Sequence, residues 1–222
     1  ILADDMGLGK TVQAIALLLS ELENATRPSI IVAPTSLIYN WRAELDKFAP
    51  DISYRLIVGS AAERQALLAS PAPGELLITS YDALKRDIDY YSELEFEYCI
   101  ADEAQYIKNH YTQNAQAVKA LASRVRFALT GTPMENSLAD LWSIMDFVMP
   151  GYLLRWQKFK AIYEIPITRY EDRDRLQRLR RQVAPFLLRR VKKDVLKELP
   201  DKIETTLYAK LSEEEQKIYH AQ

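Results

Sequence analysis

Two stretches of this 222-residue chain carry side chains whose types and spacing could do chemistry: Gly7-Leu8-Gly9-Lys10-Thr11 and Asp102-Glu103. Glycines in GLGKT let successive N–H groups turn inward on an anion, and the apolar helical run that follows adds the positive end of its dipole. In a loop of this kind Lys10 reaches the β- and γ-phosphates of a nucleotide and the Thr11 hydroxyl ligates Mg²⁺. The full Walker A pattern asks for Gly where this chain has Asp4. On its own, then, the pentapeptide fits an ordinary strand–helix turn with an exposed Lys equally well. Asp102 and Glu103 close the apolar run FEYCIA, the layout of a Walker B strand. There the aspartate would hold Mg²⁺, generally through water, and the glutamate would position or deprotonate an attacking water. Two solvated acids at a strand end are commonplace, so it is their place in the same sheet as GLGKT that gives them weight.

The elements that must position these groups alternate between short apolar runs and amphipathic stretches. TVQAIALLLSEL reads as a helix, SIIVAP as a buried strand, and Leu37, Trp41, Leu45 and Phe48 recur at helical spacing. Strands follow at YRLIV, ELLITS, FEYCIADEA and VRFALTGTP, with helices at AAERQALLAS, YDALKRDIDYYSEL and NAQAVKAL between them. Repeated β-α units of this length imply a mostly parallel sheet with helices on both faces. Ligands of such sheets bind beyond the carboxyl ends of the strands. GLGKT, APTS, TSYD, DEAQ and TGTP all lie there, on one working edge.

Composition limits the alternatives. With 48% hydrophobic and 27% charged residues the chain can bury a sizeable core. No apolar run is long enough to cross a bilayer, and none reads as a signal peptide. One cysteine, Cys99, excludes an internal disulfide and points to a reducing, intracellular setting. With only two histidines, His110 and His220, beside it, the usual structural zinc sets cannot be assembled. Cys99 reads as a small buried apolar residue, the histidines are assigned no role, and Trp41, Trp142 and Trp156 read as core or domain-packing residues. Residues 1–154 hold 12 Lys and Arg against 20 Asp and Glu, and residues 155–202 hold 15 against 7. An acidic α/β body is thus followed by a basic segment of helical spacing, which on charge alone is a solvated face.

In order and spacing, LADDMGLGKTVQAIALL, IIVAPTSLIYNWRAELDKF, LLITSYDAL, ADEAQYIKN and ALTGTPMEN resemble motifs I, Ia, Ib, II and III of the Swi/Snf-type DNA-dependent ATPases of helicase superfamily two. SLADLWSIMDFVMPGYL and FLLRRVKKDVLKELPDKIE resemble that family's helical insertion and its passage into a second lobe. The resemblance covers essentially the whole chain. It implies a RecA-like P-loop domain in an ATP-driven motor, expected to act as a monomer, that tracks on duplex DNA and remodels protein–DNA complexes. By position, Gly7, Leu8, Gly9, Lys10 and Thr11 would hold ATP and Mg²⁺, and Asp102 and Glu103 would serve metal and water. Gln105, Thr130, Gly131 and Thr132 would couple nucleotide state to DNA and the other lobe. Pro34, Thr35, Ser36, Thr79, Ser80 and Tyr81 would meet the DNA backbone. Such contacts go to phosphate and carry little sequence information.

The implied organisation is a first RecA-like lobe over residues 1–137 with its first strand clipped, a helical insertion over 138–202, and the start of a truncated second lobe over 203–222. Ser212 and Glu215 there sit at capping-box spacing. An adenine-recognition segment before Ile1 and the arginine fingers of the second lobe are expected elsewhere in a longer parent. Loss of an arginine finger costs roughly 10³–10⁵ in turnover, so the 222 residues alone are expected to be nearly inactive. Gln105 stands where many members carry His, a variant associated with bacterial enzymes; the protein is expected in the cytoplasm if bacterial and in the nucleus if eukaryotic. Two rivals stay open: a strand-separating helicase of the same superfamily, and a non-hydrolysing nucleotide- or DNA-binding module. The basic stretch 169–193 has two readings as well, a brace between lobes and a direct grip on DNA.

Overall fold

The computed structural model describes residues 1–21, 24–131 and 137–195. Five parallel strands form one sheet in the order β2-β3-β1-β4-β5, with β1 at Ser29–Ala33, β2 at Tyr54–Leu56, β3 at Leu76–Ser80, β4 at Glu95–Ala101 and β5 at Ala122–Ala128. Helices α1 (Lys10–Glu21), α2 (Ile38–Phe48), α3 (Ala61–Leu68), α4 (Tyr81–Arg86), α5 (Ile88–Tyr91) and α6 (Gln113–Ala120) make the crossovers, and α7 (Leu138–Val148) follows β5. The expected RecA-like α/β layout is the observed one.

The period-2 alternation of each strand sorts its side chains between two cores. Ile30, Val32, Leu77, Cys99 and Ala101 face one side, where Leu84 of α4, Val118 of α6 and Phe147 of α7 complete the packing. Ile31, Ala33, Leu76, Ile78 and Ile100 face the other, against Ile15 and Leu18 of α1 and Trp41 and Leu45 of α2. Strands β1 and β3 are buried along their whole length, which is why they read as unbroken apolar runs rather than alternating ones.

Several expected elements end differently; the YRLIV strand, for one, stops at Leu56. The strand drawn through FEYCIADEA stops at Ala101, because the chain turns at Asp102 and enters a 3₁₀ turn over Ala104–Ile107. The strand drawn from Val125 starts earlier, at Ala122, and stops at Ala128. The single helix drawn over YDALKRDIDYYSEL breaks at Asp87, whose backbone leaves helical geometry. Its buried carboxylate takes a two-pronged grip from Arg64, Nε to Oδ2 at 2.5 Å and Nη2 to Oδ1 at 2.9 Å.

Beyond α7 the chain forms α8 (Trp156–Phe159), a π-helical turn (Lys160–Glu164), α9 (Ile165–Tyr170) and α10 (Arg173–Val183), then a short α11 at Lys192–Val195. This helical region has its own core of Leu141, Trp142, Met145, Phe159, Leu179 and Val183. Residues 1–192 form one compact unit; a second unit comprises Lys193–Gln222, of which 193–195 are described. Thr132, Ser212, Glu215 and the expected second-lobe strand lie outside the described residues.

Candidate nucleotide site and its coupling network

The first residues run beside the end of β5. Leu2 bridges Leu129 on one side and Leu188 on the other, both in parallel, so residues 1–5 lie between the β5 exit and the segment 186–190. The loop then turns through two glycines with φ of +83° at Gly7 and +73° at Gly9, a region that a side chain penalises. Helix α1 starts directly at Lys10. The Lys10 ammonium folds back on its own loop, donating to the carbonyls of Asp4 at 2.7 Å and Asp5 at 3.3 Å. Gly7 and Gly9 are exposed, and Leu8, Lys10 and Thr11 are half-buried.

Asp102 comes to the same edge from the end of β4. Its carboxylate is buried yet well partnered: Oδ2 accepts the indole N–H of Trp41 at 2.8 Å and Oδ1 accepts the N–H of Glu103 at 2.9 Å. Burial raises its pKa; the Trp41 bond and the charge of Lys10 oppose that rise. Each oxygen keeps acceptor capacity, so Asp102 together with the Thr11 hydroxyl suits Mg²⁺, which retains water and phosphate ligands. No group of three or more Asp, Glu, His or Cys among the described residues would form a protein-only cage.

Glu103 sits in the left-handed region, φ +48° and ψ +57°, which is uncommon for a residue with a side chain. The turn aims its carboxylate at Gln105, whose Nε2 donates to Glu103 Oε2 at 2.8 Å. Gln105 Oε1 in turn accepts the hydroxyl of Thr130 at 3.1 Å. One amide thus joins the ends of β4 and β5. Next to Thr130, Gly131 lies against the start of the GLGKT loop: a methyl placed there would meet Met6 Cγ at 3.1 Å and Lys10 Nζ at 4.0 Å. The structure brings Lys10, Asp102, Glu103, Gln105, Thr130 and Gly131 together.

Exposure divides the six residues expected to meet DNA. Thr35 and Ser36 are exposed, whereas Pro34, Thr79, Ser80 and Tyr81 are buried. Ser80 caps α4 by accepting the N–H of Ala83 at 3.0 Å. Tyr81 points inward, donates its hydroxyl to the Asp102 carbonyl at 2.7 Å, and stacks on Tyr106 with ring centroids 5.3 Å apart. Its side chain supports the Asp102 turn.

For Trp41 the expectation is packing alone, in the core or between domains. Its helical spacing shows that it is buried but not that its N–H ends on the Asp102 carboxylate. Cys99 behaves as expected: it is buried, and burial pushes its thiol up to about 12.

The whole chain, residues 1–222, matches the SNF2-related domain. It belongs to that family. The SNF2-related chain is 42% identical over 224 residues to the "Uncharacterized ATP-dependent helicase MG018" of Mycoplasma genitalium, covering 100% of this chain and 21% of the relative. It is 36% identical to the "Chromatin-remodeling ATPase INO80" of Lodderomyces elongisporus, covering 100% of this chain and 15% of that protein. Its fold superposes on the Sulfolobus solfataricus SWI2/SNF2 ATPase core in complex with double-stranded DNA with a TM-score of 0.79 at 41% identity. That match covers 99% of this chain and 46% of the other. The chain therefore spans a minor part of each of these relatives.

Proposed function

We propose that this chain is the ATP-binding lobe of a DNA-stimulated ATPase that moves along duplex DNA and remodels protein–DNA complexes. The observation that carries the reading is the convergence of the GLGKT loop, the Asp102 turn and the Thr130–Gln105–Glu103 hydrogen bonds on one edge of the sheet. The Sulfolobus neighbour, a SWI2/SNF2 core in complex with double-stranded DNA, supports duplex DNA as the partner.

In this reading the backbone of Gly7–Gly9 and the first turn of α1 receive the phosphates, and Lys10 exchanges its loop carbonyls for phosphate oxygen. Thr11 and Asp102 would hold Mg²⁺, which would supply charge neutralisation on the phosphates. Glu103 orients a water in line with the γ-phosphate, and Gln105 holds the Glu103 carboxylate while reporting to Thr130. Thr35 and Ser36 offer exposed hydroxyls for DNA phosphate. In the full-length protein a second RecA-like lobe supplies the remaining positive charge.

The test is ATP hydrolysis by the full-length protein without nucleic acid, with single-stranded DNA and with duplex DNA, at two salt concentrations. Stimulation by duplex that falls as salt rises is the expected result. Lys10→Ala and Glu103→Gln should each abolish turnover. Near-wild-type activity in both would overturn the site assignment, and no response to any DNA would overturn the motor.

A further inference from the structure

Asp4, the residue that departs from the Walker A pattern, is the least exposed charged group of the loop, at 0% relative exposure. A carboxylate withdrawn from water that far must be paired and hydrogen-bonded. Its partner comes from the far end of the unit. The Arg190 Nε donates to both Asp4 oxygens at 3.1 and 3.0 Å, Nη2 bonds Oδ2, and the Arg190 main-chain N–H donates to Oδ1 at 2.9 Å. Arg190 Nη2 also donates to Gln13 Oε1 at 2.6 Å, and Gln13 Nε2 donates to the Leu8 carbonyl at 3.0 Å, inside the phosphate loop.

The neighbouring hydrogen bonds repeat the arrangement. Leu188 N–H donates to the Ile1 carbonyl, Asp5 N–H to the Arg190 carbonyl, and Lys192 N–H to Asp5 Oδ2, each at 3.0 Å. The carbonyls of Asp4 and Asp5 are the same two groups that hold the Lys10 ammonium. Lys10 has three N–H groups, so drawing it onto a phosphate redistributes bonds at the two residues that grip the segment 188–192.

We infer that segment 188–192 is a latch on the phosphate loop: Asp4 and Arg190 hold the loop in the shape that receives nucleotide, and bound nucleotide tightens the hold on the segment. Arg190 is then a positioning residue, acting through Asp4 and Gln13. The inference rests on the proposed nucleotide site. Reciprocity follows from linkage, since a segment that favours nucleotide binding must itself be favoured by nucleotide.

Two measurements on the full-length protein test it: affinity for a fluorescent ADP analogue, and amide hydrogen exchange of Leu188, Arg190 and Lys192 with and without ADP. Arg190→Ala should weaken the analogue about tenfold, the scale of removing one charge-assisted hydrogen bond. The double variant Asp4→Asn, Arg190→Gln, which swaps the ion pair for neutral hydrogen bonds, should recover part of that loss. ADP should slow exchange at the three amides in the wild type and not in Arg190→Ala. A folded Arg190→Ala protein with a lowered melting temperature, unchanged ADP affinity and ADP-independent exchange would overturn the latch, leaving the pair as a stabiliser. If Arg190→Ala does not fold, wild-type exchange decides alone: protection by ADP upholds the latch and its absence rejects it. A wild type that binds no analogue, and so matches Lys10→Ala, would remove the nucleotide site and the latch with it.

Discussion

The Thr130 hydroxyl donates to Gln105 Oε1 at 3.1 Å, while the amide nitrogen of the same Gln105 holds Glu103 Oε2 at 2.8 Å. A side-chain amide carries an acceptor and a donor on one rigid plane, so a displacement at the end of β5 is passed to the carboxylate beyond β4. Gln105→Leu keeps the bulk and loses both bonds. It should lower DNA-stimulated turnover by about thirtyfold, since the two bonds, each worth roughly 1 kcal/mol net, together amount to roughly 2 kcal/mol. Affinity for ADP should stay near wild type. Comparing turnover with and without duplex DNA checks this, and an unchanged stimulated rate would remove Gln105 from the coupling path.

Trp41→Phe removes the donor to Asp102 Oδ2 and leaves most of the aromatic volume in the second core. The carboxylate is buried, so losing a neutral donor there costs about 1–3 kcal/mol of its partnering. Turnover should fall several-fold, and half-maximal activity should need more Mg²⁺, because an under-partnered Asp102 is a less well oriented ligand. A magnesium titration of the variant against wild type reads both. An identical titration curve would return Trp41 to a packing role.

The two cores, the parallel sheet and the working edge were all legible in apolar runs and in the residues that end them, since burial on both sheet faces leaves strands such as SIIVA without polar interruption. What stayed hidden depends on directions that spacing does not encode. Tyr81 and Ser36 both follow a strand, but Tyr81 turns inward to the Asp102 carbonyl while Ser36 faces solvent. Asp87 looked like one more helical residue until Arg64, distant in sequence, claimed its carboxylate. Asp4 announced itself only as a departure from a pattern, and its partner lies 186 residues away.

Helix α10 resolves part of the basic stretch. Leu179 and Val183 are buried in the core of the helical region, and Arg173, Arg178, Arg180 and Arg181 are exposed. Neutralising Arg180 and Arg181 together should therefore spare folding, and if this helix grips duplex DNA it should weaken that binding. The slope of log affinity against log salt should flatten by about two, one for each phosphate no longer neutralised. Binding measured at several salt concentrations distinguishes the roles. Parallel lines for variant and wild type would assign the helix to bracing.

Asp4 also sets an acid-side dependence of stability with a definite sign. The Arg190 guanidinium holds its carboxyl below the ordinary value of 3.8, outweighing the upward push of burial. The folded protein thus binds this proton less readily than the unfolded chain, and the pair's contribution is present above about pH 4 and lost as pH falls through the depressed value. In Arg190→Ala the guanidinium's pull, the largest of the influences, is gone, while burial still raises the Asp4 pKa and the main-chain N–H of residue 190 and the Gln13 amide still lower it, so the pKa rises from its depressed value. Acid therefore costs that variant less stability at this site than it costs the wild type. The gap in melting temperature between wild type and Arg190→Ala should be widest near pH 7 and narrow as pH falls through about 4 and below. Asp4→Asn, with nothing to titrate there, should show no such narrowing relative to its own double with Arg190→Gln. A wild-type-to-variant gap that stayed constant from pH 7 to below about pH 3 would mean that Arg190 does not set the protonation of Asp4.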